Sequence, residues 1–318
     1  MSYGAQSRLL LLCPGQGGQH AGMFDLARTS VGAGALLDGL SAAMPPAARG
    51  ALAAGAPDSN DADIYANGNA QPLIVAATLG MWEAIREFAP QPALVAGYSI
   101  GELSAYGVAG AFDAATATGL AATRARMMDA CLAEHPGQAL LALSGLGSKR
   151  LEELATAHAF HIGIETGDDA CIAGGPAQAA QALESAVIEA GGRCTRLQVE
   201  VASHTPYMRG AVEPFAEVLR QTEFGHMTAP VLAGISATAV GGKEQAVEQL
   251  SRQLAEKIRW VACMDACAEA GITYALELGP GPALSKMMQA RHPHINTRSV
   301  ADFRTLDGIR KWLDRAAD

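Results

Sequence analysis

The chain has 318 residues, 49% of them apolar and 17% charged, with a formal net charge of −9. This balance excludes a disordered chain, allows a large core, and argues against nucleic acid or a membrane surface as partner. The six cysteines are scattered without a C-x-x-C pair, and the apolar run Leu9-Leu10-Leu11-Leu12 is too short for a signal peptide or a membrane span, so the expectation is a protein of the reducing cytoplasm without disulfide framework or zinc site.

Residues 9–13 read as a buried first strand, ended by the glycine-rich loop Pro14-Gly15-Gln16-Gly17-Gly18-Gln19. A helix is predicted from Met23, a loop or broken helical connection over 42–63, and a strong helical pattern over 71–88. The apolar run 92–96 leads into Gly97-Tyr98-Ser99-Ile100-Gly101 and a helix-like stretch over 102–106, followed by a helix over 113–132. The texture then changes to a strand at 138–143, a helix at 149–158, strands at 162–165 and 170–173, a helix at 177–190 and a strand at 194–201. That β-α-β-β-α-β order predicts a ferredoxin-like subdomain at 132–201. It would be inserted into a large α/β-hydrolase-like parallel-sheet domain made of 1–131 and 202–318, which resumes with a helix over 206–222, a strand at 231–235, a broken helix over 244–270, a strand at 273–278 and the loop Gly279-Pro280-Gly281-Pro282.

The pentapeptide around Ser99 has the strand, tight turn and helix context of a G-x-S-x-G nucleophile elbow, in which flanking glycines let the chain turn sharply and present the hydroxyl at a helix N-terminus. Such a serine needs a base, and His204 ends the alternating stretch Leu197-Gln198-Val199-Glu200-Val201, where the inserted lobe would return to the main domain. Arg124 shares a helix face with Leu120, Met127 and Met128, whereas Arg126 lies roughly 200° around the helix and is expected to be exposed. An inward arginine needs an anion. A protein carboxylate is the commoner solution and a ligand carboxylate the other. The loop at 14–19 lacks the Gly-Lys-Ser/Thr of a phosphate loop but suits presenting a backbone N–H to an oxyanion, with the Ile100 N–H as the second donor.

Taken together, Pro14-Gly15-Gln16-Gly17, Gly97-Tyr98-Ser99-Ile100-Gly101-Glu102, Arg124, Ser203-His204, Gln253 ahead of Trp260, and Glu277-Leu278-Gly279-Pro280-Gly281 resemble the malonyl-CoA:acyl-carrier-protein transacylase family, which includes the acyltransferase domains of fatty-acid and polyketide synthases. The resemblance spans nearly the whole chain. It implies Ser99 as the acylated nucleophile, His204 as general base and acid, Arg124 as clamp for the malonyl carboxylate, Gln16 and Ile100 as oxyanion donors, and Gln253 beside the site, where a main-chain carbonyl would orient the histidine. It further implies malonyl-CoA and an acyl carrier protein as partners, with no cofactor. Tyr98, where the family usually has histidine, and the ending Ser299-Val300-Ala301-Asp302-Phe303-Arg304 are similar to the malonate decarboxylase branch, whose transacylase subunit serves a small carrier subunit. His158-Ala159-Phe160-His161 imitates a malonyl-selectivity signature, but it falls in the inserted lobe and is read as coincidence. The rival readings are an α/β-hydrolase esterase or thioesterase, whose chain order would make His292 or His294 the base, and a non-catalytic carrier-binding subunit.

Overall fold

The computed structural model describes residues 7–53 and 64–317. Among them the strands are β1 (Leu9–Cys13), β2 (Leu94–Gly97), β3 (Gln138–Ser144), β4 (His161–Gly167), β5 (Ala170–Pro176), β6 (Arg193–Arg196), β7 (Val231–Leu232), β8 (Ala239–Val240), β9 (Tyr274–Glu277) and β10 (Asn296–Ser299). They form a six-stranded sheet of order β10-β9-β1-β2-β7-β8 and a four-stranded sheet of order β4-β5-β3-β6. The larger sheet is parallel except for the β7–β8 pair at one edge.

Every residue of β1 is buried. Leu9, Leu11 and Cys13 join one apolar cluster while Leu10 and Leu12 join another on the opposite face. This is why the strand reads as an uninterrupted apolar run and not as an alternation. Leu73, Leu103, Leu120, Phe215 and Trp312 pack on the first face, and Trp260, Met264, Leu284 and Met288 on the second. The smaller sheet is antiparallel and is covered by the Ser148–Ala157 and Ala180–Glu189 helices through Leu151, Leu154, Leu183 and Val187. Its connectivity and strand order are those of a ferredoxin-like unit, so the chain has a large α/β domain and a small subdomain.

The small subdomain is tied to the large domain by backbone pairing: Ile258 N–H donates to Gly163 O at 2.9 Å and Glu165 N–H to Ile258 O at 2.9 Å. The segment after the Lys243–Arg252 helix thus extends along β4.

Several elements differ from the sequence expectation. Residues 197–201 are not strand: the pairing of β6 with β3 ends at Arg196, and the last bond runs from Leu197 N–H to Leu140 O. Val199 and Val201 pack on the large-domain core, so their alternation records burial against another element and not sheet pairing. His204 therefore sits in a turn. The helix expected from Met23 is two helices, Asp25–Arg28 and Val31–Gly39, the second capped by Ser30. Within 42–63, short helical turns at Pro46–Ala48 and Arg49–Leu52 are described, and 54–63 lie outside the described residues. The next helix, Asn67–Ile85, begins before Gln71 and runs through Pro72, because its buried face outweighs the one hydrogen bond a proline forfeits. The broken helix is resolved into Lys243–Arg252 and Trp260–Glu269. Strands β8 and β10 and the Leu306–Ala317 helix have no counterpart in the sequence reading, although Ile309, Trp312 and Leu313 carry the i, i+3, i+4 spacing of an amphipathic helix. No helix among the described residues is long and apolar enough to cross a membrane.

Candidate active site

Ser99 lies between the end of β2 and the Ile100–Val108 helix with φ 56° and ψ −119°, a conformation L residues rarely adopt. Both flanking glycines are required by contact. A Cβ on Gly97 would lie 2.2 Å from Glu102 N, and one on Gly101 would lie 2.0 Å from Cys13 O. Tyr98 N–H donates to Cys13 O at 3.0 Å, which locks the turn to the end of β1. The hydroxyl is thereby held at a helix N-terminus, on the carboxyl-end side of a parallel sheet, where α/β folds bind their ligands.

Ser99 Oγ is 2.7 Å from His204 Nε2, and His204 Nδ1 is 2.6 Å from Gln253 O. A carbonyl only accepts, so Nδ1 carries the proton and the lone pair of Nε2 faces the serine hydroxyl. His204 N–H donates to Leu254 O at 2.8 Å. Both acceptors stand at the end of the Lys243–Arg252 helix, where carbonyls lack helical partners. His204 itself has φ 62°. The small subdomain presses on this turn: a Cβ on Gly163 of β4 would lie 2.9 Å from Ser203 O, and one on Gly174 of β5 would lie 3.0 Å from Ala202 Cβ.

Burial, helped by the nearby Arg124 charge and opposed by the Gln253 hydrogen bond, pushes the His204 imidazole down to about 3. The ring is therefore neutral throughout the physiological range. Because protonation of the folded state is displaced downward from 6.5, the rate of Ser99 acylation is expected to stay flat between pH 7 and pH 5.5. A base titrating at its ordinary value of about 6.5 would lose roughly eightfold over that range. Pre-steady-state acylation at several pH values measures this, and an acid limb centred near 6.5 would contradict it.

Arg124 is 3% exposed. Its Nη1 donates to Gln71 Oε1 at 2.7 Å and its Nη2 to Gln253 Oε1 at 3.3 Å. Among the described residues no carboxylate lies within ion-pair distance of it, so the protein salt bridge anticipated for an inward arginine is not formed: two neutral amide oxygens hold the guanidinium. Burial lowers its pKa to about 10 while the Glu102 carboxylate acts in the opposite sense, which leaves it charged at neutral pH. Glu102 is fully buried and accepts from Gly234 N–H at 2.9 Å and from Gln253 Nε2. Burial pushes Glu102 up to about 7 against the pull of those two hydrogen bonds and the Arg124 charge. Arg126 is exposed, as its helix phase requires.

Gln16 lies in the loop against the elbow, where a Cβ on Gly15 would lie 2.9 Å from Tyr98 O, and the Gln16 Nε2 donates to Asn67 Oδ1 at 3.2 Å. The backbone N–H groups of Gln16 and Ile100 donate to no group of the described residues. Glu277 is not at the dyad. It caps the Ala283–Arg291 helix through the N–H groups of Leu284 and Ser285, holding the 278–282 loop against Pro14 and Gly18. His292 Nε2 bonds Asp265 Oδ1 at 3.0 Å, and His294 stacks edge-on against His292. His158 bonds Leu154 O. None of these histidines is the partner of Ser99. A cavity of about 880 Å³ opens beside Asn67 and Asp129, under residues 198–201. The same Asn67 Oδ1 accepts from Gln16 and Gln71 and so connects that cavity to the polar network around Arg124.

Sequence reasoning assigned no role to Gln71 or Glu102. Their signal is a polar residue inside an otherwise apolar stretch, Gln71 ahead of Leu73-Ile74-Val75 and Glu102 between Ile100 and Leu103. Such a residue, once buried, demands partners.

A family of acyl transferase domains matches residues 10–290. A malonyl CoA-acyl carrier protein transacylase of Mycobacterium bovis is 30% identical over 308 residues, covering 95% of this chain and 99% of that protein. In three dimensions the crystal structure of FabD from Acinetobacter baumannii superposes with a TM-score of 0.88 at 26% identity, over 98% of this chain and all of that one. A malonyl-transacylase solved in complex with its type II polyketide synthase acyl carrier protein superposes with a TM-score of 0.85 at 25% identity, over 96% of this chain and 99% of that one. With the family match extending over most of its length and the relatives aligned end to end, the chain belongs to the acyl transferase domain family.

Proposed function

We propose that this protein moves a malonyl group from malonyl-CoA to the phosphopantetheine-type thiol of an acyl carrier protein through a malonyl ester on Ser99. The observation that carries this reading is Arg124: a buried, charged guanidinium held by amide oxygens and not by a carboxylate, joined through Gln253 to the histidine that contacts Ser99. Such a cation is best satisfied by an anionic group on the substrate, and a malonyl unit brings a free carboxylate to it. The names of the similar proteins support the same donor and acceptor.

Ser99 Oγ attacks the thioester carbonyl as His204 Nε2 takes its proton, and the N–H groups of Gln16 and Ile100 receive the oxyanion. The carbon–sulfur bond then breaks, and His204 returns the proton to the departing CoA thiolate. The carrier thiol reverses the sequence, giving its proton to His204 and freeing Ser99. Proton transfers alone balance every step, so this reading requires neither metal nor redox cofactor. Incubation with malonyl-CoA is expected to add one malonyl mass to the intact protein, absent in Ser99→Ala and discharged by a holo carrier protein. An unmodified wild-type mass sinks the proposal and favours a carrier-binding subunit.

The narrower assignment is the transacylase subunit of a malonate decarboxylase. It is supported by Tyr98, whose ring packs edge-on to Trp260 at 5.3 Å, and by the Ser299–Arg304 sequence, where Ser299 Oγ donates to the Gly281 carbonyl of the 278–282 loop. Faster discharge to a malonate decarboxylase carrier subunit than to a fatty-acid or polyketide carrier supports it, and the reverse preference assigns the protein to malonyl loading for biosynthesis.

A further inference from the structure

We propose that Glu102, which the transfer chemistry does not use, is a positioning residue: it holds the Gln253 amide in one orientation and thereby aligns His204 and Arg124 together. The inference rests on the roles proposed above for those two residues.

Glu102 stands three residues after Ser99 on the helix that the elbow starts, and it is completely buried. Both of its hydrogen bonds converge on one oxygen, Oε2, which accepts from Gly234 N–H and from Gln253 Nε2. Gly234 leaves the room for this, since a Cβ there would lie 3.0 Å from Glu102 Oε2 and 3.6 Å from Gln253 Nε2.

An amide has a donating end and an accepting end, so its orientation has consequences. The Gln253 side chain lies between a carboxylate, which accepts, and a guanidinium, which only donates. Only one orientation satisfies both: Nε2 toward Glu102 and Oε1 toward Arg124. The opposite orientation would set N–H against N–H and oxygen against oxygen. Gln253 also offers its main-chain carbonyl to His204 Nδ1, and the next residue offers its carbonyl to His204 N–H. The side chain of Gln253, at the end of its helix, is held at its two ends, by this carboxylate and by the guanidinium of Arg124. Releasing it frees the carbonyl that sets the imidazole and the amide oxygen that sets the guanidinium.

The test separates reach from charge. Glu102→Gln keeps an acceptor at the same length and removes the charge. Glu102→Asp keeps the charge and withdraws the acceptor by one methylene. Two readouts are taken on each variant: phosphonylation of Ser99 by a fluorophosphonate, which needs the dyad but no carboxylate clamp, and malonyl transfer from malonyl-CoA. Thermal melting and circular dichroism confirm that rates refer to folded protein. Glu102→Gln is expected to stay within about threefold of wild type in both, whereas Glu102→Asp slows phosphonylation by about tenfold or more and malonyl transfer by more than that. Loss in Glu102→Gln with retention in Glu102→Asp, equal loss in both, or no loss in either overturns the proposal. Wild-type protein that reacts with the fluorophosphonate but transfers no malonyl would instead defeat the proposed substrate and leave the positioning role standing.

Discussion

His204→Ala is expected to lower single-turnover malonylation of Ser99 by about four orders of magnitude or more, with little change in the apparent affinity for malonyl-CoA. The serine hydroxyl is a poor nucleophile unless its proton is removed as the bond forms, and His204 Nε2, 2.7 Å away, is the group placed to take it. Neither His292 nor His158 substitutes, because His292 is occupied with Asp265 and His158 with Leu154 O. Arg124, the proposed carboxylate clamp, is left intact, so binding is expected to survive while chemistry fails. Since His204 sits at positive φ, His204→Asn, which tolerates that backbone better than alanine, controls for strain and is expected to lose as much. A His204 variant that retains more than about a hundredth of the rate, or a His292→Ala variant that loses as much, would favour the rival esterase reading.

Arg124→Ala is expected to divide the two acyl donors. Removing one partner of a buried charge pair costs roughly 3–5 kcal/mol, which corresponds to about two to nearly four decades in kcat/KM for malonyl-CoA. Acetyl transfer is expected to be unchanged or improved, because an acetyl methyl leaves the wild-type guanidinium without an anion. Arg124→Lys is expected to recover only part of the malonyl rate, since an ammonium cannot present the planar fork of donors that reaches the oxygens of Gln71 and Gln253 and, in the proposed reading, a ligand carboxylate. Parallel measurement with malonyl-CoA and acetyl-CoA makes the comparison. Equal losses with both donors would mean that the arginine only braces the helices carrying Gln71 and Gln253.

These two expectations draw on different depths of sequence information. The elbow was readable because its constraints are local: a strand, two glycines and a helix within a dozen residues, with the clash that excludes a Cβ arising between neighbours and the end of β1. The ferredoxin-like order of the small subdomain was readable for a similar reason, since short amphipathic elements in sequence carry their own periodicity. The strand predicted through residue 201 shows where periodicity misleads. Val199 and Val201 alternate with polar residues because they lie against the large-domain core, and alternation does not say whether the burying surface is a sheet partner.

The turn that presents Ser99 and the inward phase of Arg124 were thus dictated by residues near each of them along the chain, where steric clash and helix geometry act over a few ångströms of connected backbone. Which histidine Ser99 meets, what holds Arg124, and the bond that ties Gln253 to Glu102 depended on residues 53 to 151 positions apart being brought into hydrogen-bond contact. Hydrogen bonds reach only about 3 Å and amides must choose an orientation, so those partnerships exist only once the sheet, the Lys243–Arg252 helix and the small subdomain have packed.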